Sequence, residues 1–342
     1  NILSYNNKNF ILVELIYLFR HMYFDVKFPL TNEILKSYCI EFCLRLKFKN
    51  AIVIDPKKLF LFLKKYKIKN INILHSKIAI YLGKNYNKKN FTNLIEYSNG
   101  EWRHIDNFLK LDDNHKAFHV IRDPRAILSS FKLFSYDKKN QAYWYSIFNW
   151  LDSYNYMKKY KLKYENTRYL PIKFEDLHNY PEKYVNKILN FSNKKKMKIN
   201  FQKWKKQLQN EKQFINISAH SKKKVFGFSK KRIENWKSSL KKWEVELVEY
   251  LLGKQMVDLG YDLSIKINDK NIIKSLKKLR LNKFNKKYLN LMLKQSKGTD
   301  LRPHNAKIPK NWGVFRLGKK TSYLYKTFLE EKNKYIKLNF NE

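Results

Sequence analysis

An α/β fold built on a doubly wound, mainly parallel sheet flanked by helices is predicted by three observations. Short apolar runs, "NLIEYS" at 93–98, "AFHVI" at 117–121 and "RYLPIKF" at 168–174, alternate with segments of helical period. An Asp-Pro pair, Asp123-Pro124, follows the second run directly, which is how a parallel strand hands over to a helix N-terminus. At 342 residues, 44% apolar and 16% aromatic, the chain can bury one sizeable core, or one core with an appendage.

Taken in order, Phe10 to Arg20 reads as a largely apolar helix and Asn32 to Leu46 as a second, amphipathic one. "AIVIDP" at 51–56 has the length of a short strand stopped by Pro56, and residues 57–82 are helical in period. After the strand at 93–98, "EWRHIDNFLK" gives a helix with Ile105, Phe108 and Leu109 on its inner face. The strand "AFHVI" leads to a helix from Pro124 and a long aromatic helix near Gln141 to Tyr160. The last strand, "RYLPIKF", is followed by "EDLHNYPEKYVNKILNF". Beyond Gly260 the composition shifts to a Lys-rich amphipathic helix at 271–293, with Ile273, Leu276, Phe284 and Tyr288 on one side, and then a loop-like stretch. The expected division is therefore a domain over 1–264 and a basic helical extension over 265–342.

Charge and cysteine content narrow the function. The net charge of +43 suggests an anionic partner, but only ten of the 72 basic residues are Arg, and the Lys excess comes with abundant Asn and Ile, a triad that A/T-biased coding produces. Cys39 and Cys43 sit four apart on one helix face and act as small apolar residues, so no disulfide framework follows. The eight histidines show no ligand spacing, and no metal is expected. The longest apolar stretch, Phe10 to Phe19, is too short to span a bilayer and is broken by Glu14.

"FHVIRDPRAILSSF" at 118–131 carries the chemistry. In a parallel sheet, ligands bind beyond the carboxyl ends of the strands, where the next helices present free N–H groups. Arg122 falls at that end, Asp123 caps the helix, and Pro124 occupies a first-turn position where its missing N–H costs nothing. Ser130 follows about two turns into the helix. A guanidinium fork and a hydroxyl converging from strand end and helix describe a phosphate clamp, and an N-cap beside a surface Arg is the competing reading.

The motif resembles the 3′-phosphate-binding element of sulfotransferases that use 3′-phosphoadenosine-5′-phosphosulfate (PAPS). The resemblance implies a P-loop-NTPase-like fold and assigns Arg122 and Ser130 to the cofactor's 3′-phosphate. "IKFEDLHNYPEKYVNKILNF" is similar to the same family's strand and "EDL" element, which implies Phe174 near the adenine, with core packing as its competing role. The stretch from Val225 to Leu263 resembles its C-terminal segment, with Gly227, Arg232, Trp236 and a final Leu-Gly-Tyr at 259–261. There a basic loop covers the cofactor, which makes Lys231 and Arg232 candidates.

Two departures qualify the resemblance. The family's 5′-phosphosulfate loop is a strand and a glycine-bearing turn opening a helix. Here the candidate is residues 4–10, with Lys8 and Asn9 at the turn and no glycine. Because the chain begins at Asn1 rather than Met, the alternatives are a loop upstream and a divergent loop in place, and the run from Phe10 favours the second. In "LIEYSNGEWRHIDNFL" many carbohydrate-type members have a Lys after the Glu, where this chain has Tyr97. Tyr donates a hydrogen bond but does not neutralise a developing charge.

The resemblance implies transfer of a sulfuryl group from PAPS to a hydroxyl or amine of a carbohydrate or small-molecule acceptor, with Glu96, His104 or Glu33 as general base, and the positive charge is suited to an anionic acceptor. A catalytically impaired nucleotide- or polyanion-binding relative and a basic nucleic-acid-binding protein are the alternatives. Against nucleic acid stands a Lys distribution without Arg and aromatics on one face. The expected compartment is cytoplasmic, or the secretory lumen if an anchor precedes the chain. Asn90 and Asn216 head glycosylation sequons of a kind that Asn-rich chains produce by chance.

Overall fold

The structure, a computed structural model, describes residues 9–12, 28–50, 52–85, 93–96, 102–134, 141–164, 167–192, 200, 202, 228, 231–264, 273–275, 322–338 and 340. Two compact units result, one from Leu3–His115 with Arg302–Glu342, the other from Lys116–Leu301 with Asn1–Ile2.

In the first unit β1 (Asn9–Leu12) pairs in parallel with β2 (Asn93–Glu96), Leu12 opposite Glu96. Phe10 to Leu12 are thus strand, where a helix from Phe10 was expected. So short an apolar run fits a parallel strand as well as a helix, and the pairing partner decides. The helices are α1 (Asn32–Asn50), α2 (Pro56–Lys64), α3 (Ile71–Asn85) and α4 (Ile105–Lys110), the last entered through a 3-10 turn at Trp102–His104. No strand forms at 52–55. Asp55 accepts from the Lys57 N–H at 2.8 Å and Pro56 opens α2, so "AIVIDP" is a helix N-cap rather than a strand end.

Helix α1 is not the one-sided helix its sequence suggested. Leu35, Tyr38, Cys39, Ile40, Glu41, Phe42, Cys43, Leu44 and Leu46 are all buried, covering most of its circumference. Part of that cover is α11 (Ser322–Lys337). Its Lys332 ammonium donates to the Glu41 carboxylate at 2.7 Å, both side chains buried, and Lys47 bridges to Glu331 at 2.7 Å. Just beyond the helix, Phe340 packs edge-on against Phe60 in the core. Both cysteines are buried free thiols in this core, and burial pushes both thiol pKa values up.

In the second unit β3 (Ala117–Ile121) pairs in parallel with β4 (Tyr169–Lys173), Ala117 opposite Tyr169 and Ile121 opposite Lys173. Around them lie α5 (Pro124–Phe134), α6 (Gln141–Tyr164), α7 (Phe174–Asn179), α8 (Pro181–Ser192), α9 (Lys231–Ser239) and α10 (Lys242–Asp258). The expected αβ alternation and parallel sense are present. The described strands, however, make two separate two-stranded sheets rather than one doubly wound sheet, and helix predominates. Pro171, in β4, has no N–H to offer a further neighbour. Of the Lys-rich helix expected at 271–293, residues 273–275 are helical and the rest lies outside the described residues, as do both sequons.

Among the described residues, no helix is long and apolar enough to cross a membrane, and no three His, Cys, Asp or Glu side chains are grouped to hold a metal ion.

At the centre of this unit, buried His119 lies between the Tyr169 hydroxyl at 2.5 Å and the Ser153 hydroxyl at 2.7 Å, and burial lowers its pKa to about 4. Above about pH 6.5 both the folded and unfolded states hold it neutral. As pH falls from there towards 4, only the unfolded state takes up the proton, so stability falls by about 3 kcal/mol over that window. Urea unfolding at stepped pH values is expected to show that loss, and His119→Gln to lack this part of it. In the first unit, Phe340→Ala is expected to cost about 3–5 kcal/mol by the same measurement, because the phenyl ring leaves a cavity against Phe60.

Candidate functional site

The register of β3 with β4 builds the site. Since Ile121 pairs with Lys173, the residues that follow each strand, Arg122 and Phe174, emerge side by side. The Arg122 guanidinium lies over the Phe174 ring, 4.5 Å from its centroid. Its backbone carbonyl accepts from the Trp150 indole at 2.7 Å, and its Nη2 donates to the Arg232 carbonyl at 2.6 Å. Its Nε–H is buried without a hydrogen-bond partner among the described residues. Burial lowers the Arg122 pKa, Glu175 and Asp123 act against that, and the Arg232 charge adds to it. Arg122, Phe174 and Arg232, three of the residues expected to bind the cofactor, therefore meet at the carboxyl ends of the parallel pair.

The scaffold under Arg122 is a buried network. Asp123 caps α5 as expected, its Oδ1 accepting from the Arg125 N–H at 2.8 Å. Its carboxylate also takes the Arg125 guanidinium at 2.7 Å, while the other edge of that guanidinium reaches Glu249 at 2.6 Å and the Asp262 carbonyl at 3.0 Å. The face of the guanidinium lies 4.0 Å from the Trp236 ring centroid. Burial opposes the charge of Arg125, and the two carboxylates more than offset it, leaving its pKa raised. Glu175, the acid of the "EDL" element, accepts from the Asp123 N–H at 2.9 Å and from the Tyr261 hydroxyl at 2.8 Å, with its own pKa raised by burial. Tyr261 reaches it because, two residues past the end of α10, Gly260 has a φ of 70° that lets the Tyr261 N–H turn back to the Met256 carbonyl at 2.9 Å. The three motifs read separately in the sequence, at 122–125, 174–177 and 259–261, thus share one hydrogen-bond network.

Ser130 is half-buried on α5, one residue past Ser129, whose hydroxyl meets that of Ser239 at 2.6 Å. Phe174 packs at a tilt against His178, with ring centroids 3.9 Å apart, and His178 meets Phe228 edge-on. Of the other expected residues, Glu96, His104, Asn9, Glu33, Lys8 and Tyr97 belong to the first unit. Glu96 ends β2, half-buried; burial, then the charge of Glu96, raises the pKa of Tyr38. His104 closes the 3-10 turn, and its side chain, with those of Asn9 and Lys231, lies outside the described residues. Asn9, expected at a turn, is the first residue of β1. Glu33 is exposed in the first turn of α1. Lys8, Tyr97 and Gly227 are outside the described residues.

Arg125, Glu175, Glu249 and His178 were not singled out by the sequence reading. Arg125 had one signal available: it lies two residues past a capping Asp, close enough to fold back onto it. Glu249, in contrast, is 124 residues away. The two arginines separate cleanly by substitution. Arg125→Ala leaves two buried carboxylates uncompensated and is expected to cost about 3–5 kcal/mol. Arg122→Ala, which gives up one hydrogen bond and one ring contact, is expected to cost about 1 kcal/mol, both read from urea unfolding.

Compared with known proteins, the chain matches the profile of the sulfotransferase family over residues 14–194, which includes the strand-end motif with Arg122 and Ser130 and the "EDL" element, and stops before α9. Neither the curated proteins nor the solved structures show a match. With over half of its length under that profile, and with the matched motifs meeting around Arg122, the chain belongs to the sulfotransferase family.

Proposed function

We propose that this sulfotransferase uses PAPS as its donor and transfers the sulfuryl group to a hydroxyl or amine of a carbohydrate or small-molecule acceptor. The observation that supports this most directly is the Arg122 Nε–H, buried at the end of a parallel strand without a partner among the described residues, with a second guanidinium, Arg232, close enough to act on it electrostatically. An unpaired buried donor is costly, and a phosphate oxygen is the chemistry that satisfies a guanidinium edge.

In this reading Arg122 and Ser130 hold the 3′-phosphate of the nucleotide, and Arg232 adds charge from the side of α9. Phe174 supplies an aromatic surface that already carries the Arg122 guanidinium. Lys8 and Asn9 are assigned to the phosphosulfate end, and Glu96 or His104 to the acceptor. In the transfer, the bond from sulfur to the bridging phosphate oxygen breaks as the acceptor oxygen or nitrogen bonds to sulfur. The acceptor's proton passes to the base, and adenosine 3′,5′-bisphosphate leaves. No metal enters the scheme.

The test is thermal unfolding with adenosine 3′,5′-bisphosphate. At about 100 times its Kd the ligand adds about 2.7 kcal/mol of stability, a shift of a few degrees in Tm. Arg122→Ala is expected to abolish the shift while retaining the fold. An intact protein whose Tm does not respond would overturn the assignment. Labelled PAPS offered with a panel of sugar and phenol acceptors then separates a transferase from a relative that only binds, the reading that Tyr97 in place of Lys favours.

A further inference from the structure

Beside the two arginines lies a third nitrogen base to which the family motifs assign no role. His178, on α7, is buried, its ring packed at a tilt against Phe174 and met edge-on by Phe228. Its Nδ1 lies 3.0 Å from the Phe174 carbonyl. A carbonyl only accepts, so Nδ1 carries the hydrogen and the neutral ring keeps its lone pair on Nε2. Nε2 has no protein partner among the described residues.

The charges around the ring are one-sided. Arg232 of α9 and Arg122 at the end of β3 both disfavour its protonation, adding to the effect of burial. Among the described residues, no carboxylate offsets them at the ring. Glu175 is engaged by the Asp123 N–H and Tyr261, Asp176 accepts from Tyr184 of α8, and Lys173 of β4 is turned to the Leu259 carbonyl. A neutral imidazole packed between two phenyl rings, with two cations acting on it, gains its proton more readily when an anion arrives and reverses the local field.

We propose that His178 is a proton-dependent third member of the anion site of Arg122 and Arg232, neutral in the free protein and protonated at Nε2, by a proton from solvent, when a phosphate-bearing nucleotide binds. This rests on the reading of that site given above. It makes His178 a binding residue rather than a base for the acceptor, and it couples nucleotide release to proton release. Phosphate itself binds better as its second proton leaves, near pH 6, so the histidine contribution opposes the ligand's own titration.

The experiment is titration calorimetry of the full chain with adenosine 3′,5′-bisphosphate, near pH 7, in two buffers of different ionisation enthalpy. His178→Gln and His178→Phe serve as variants. Gln keeps a donor for the Phe174 carbonyl and Phe keeps the ring contact, so both preserve part of the packing. Wild type is expected to take up about one proton more than either variant, and its affinity advantage over them to grow several-fold as pH falls from about 8 to about 6. Histidine ring NMR supplies an independent readout, in which the resonance missing from both variants moves to a higher pKa on ligand addition. Equal proton uptake and a pH-independent affinity ratio, with binding intact, would overturn the role of His178 and leave the anion site standing. If the bisphosphate fails to bind wild type at all, the site itself falls and this inference with it.

Discussion

The site depends on how one guanidinium is neutralised. Arg125 is buried between Asp123 and Glu249, with its face on Trp236 and one N–H on the Asp262 carbonyl. Those contacts tie the start of α5 to the far side of α10 and to the chain beyond it. A buried ion pair of this kind adds little net stability over an apolar equivalent, because desolvation of three charges absorbs most of the attraction. Its value is geometric: with planar, forked contacts in four directions, Arg125 admits one placement of α5 relative to α10. That placement fixes where the end of β3, and therefore Arg122, points.

Glu175 completes the alignment from the other strand. Its two carboxylate oxygens serve different segments, one taking the Asp123 N–H after β3, the other the Tyr261 hydroxyl after α10. Strand pairing alone sets Arg122 beside Phe174; Glu175 holds the segment after β3 against α7 so that the pair stays together beyond the last ladder residue. The consequence is a division of labour between arginines three residues apart. Arg125 directs its hydrogen bonds to carboxylates and a carbonyl, whereas Arg122 is held by its ring contact and one carbonyl and keeps a buried N–H without an acceptor among the described residues. A group with no function to serve would have been expected to find an acceptor or to reach solvent.

What the sequence revealed and what it concealed follow from the range of each interaction. The end of β3, the Asp123 cap and the start of α5 were legible because they rest on contacts one to three residues long. The same Asp-Pro signal at Asp55-Pro56 was misread as a strand end because the apolar run before it, "AIVI", suggested a strand. Helix α1 looked amphipathic because its buried Glu41 counts as polar in any pattern, and the Lys332 that neutralises it lies 291 residues away. The strand at Phe10 to Leu12 was hidden for the same reason, since its partner lies beyond residue 90. At the site, Arg122, Phe174 and Arg232 were found through motif resemblance, and local reading alone left Arg122 undecided between clamp and surface. The network that unites them joins groups separated by 52, 86 and 124 residues, distances over which no local pattern speaks.

Charge composition supports the same site from another direction. Lys outnumbers Arg by about six to one in this chain, so a position with no special demand on a cation is expected to carry Lys. Yet Arg122, Arg125 and Arg232, three of only ten arginines, are brought together at one strand end. Lys is a strongly hydrated point charge, whereas Arg tolerates burial, stacks on rings and presents N–H groups in pairs. Two of the three use that face on an aromatic ring, Arg122 on Phe174 and Arg125 on Trp236, in a way an ammonium does not reproduce. Against a background that supplies lysine everywhere, arginine at these positions marks where fork geometry matters. It also sets the proposed anion site, where the parallel strands end, apart from the lysine that supplies most of the chain's positive charge.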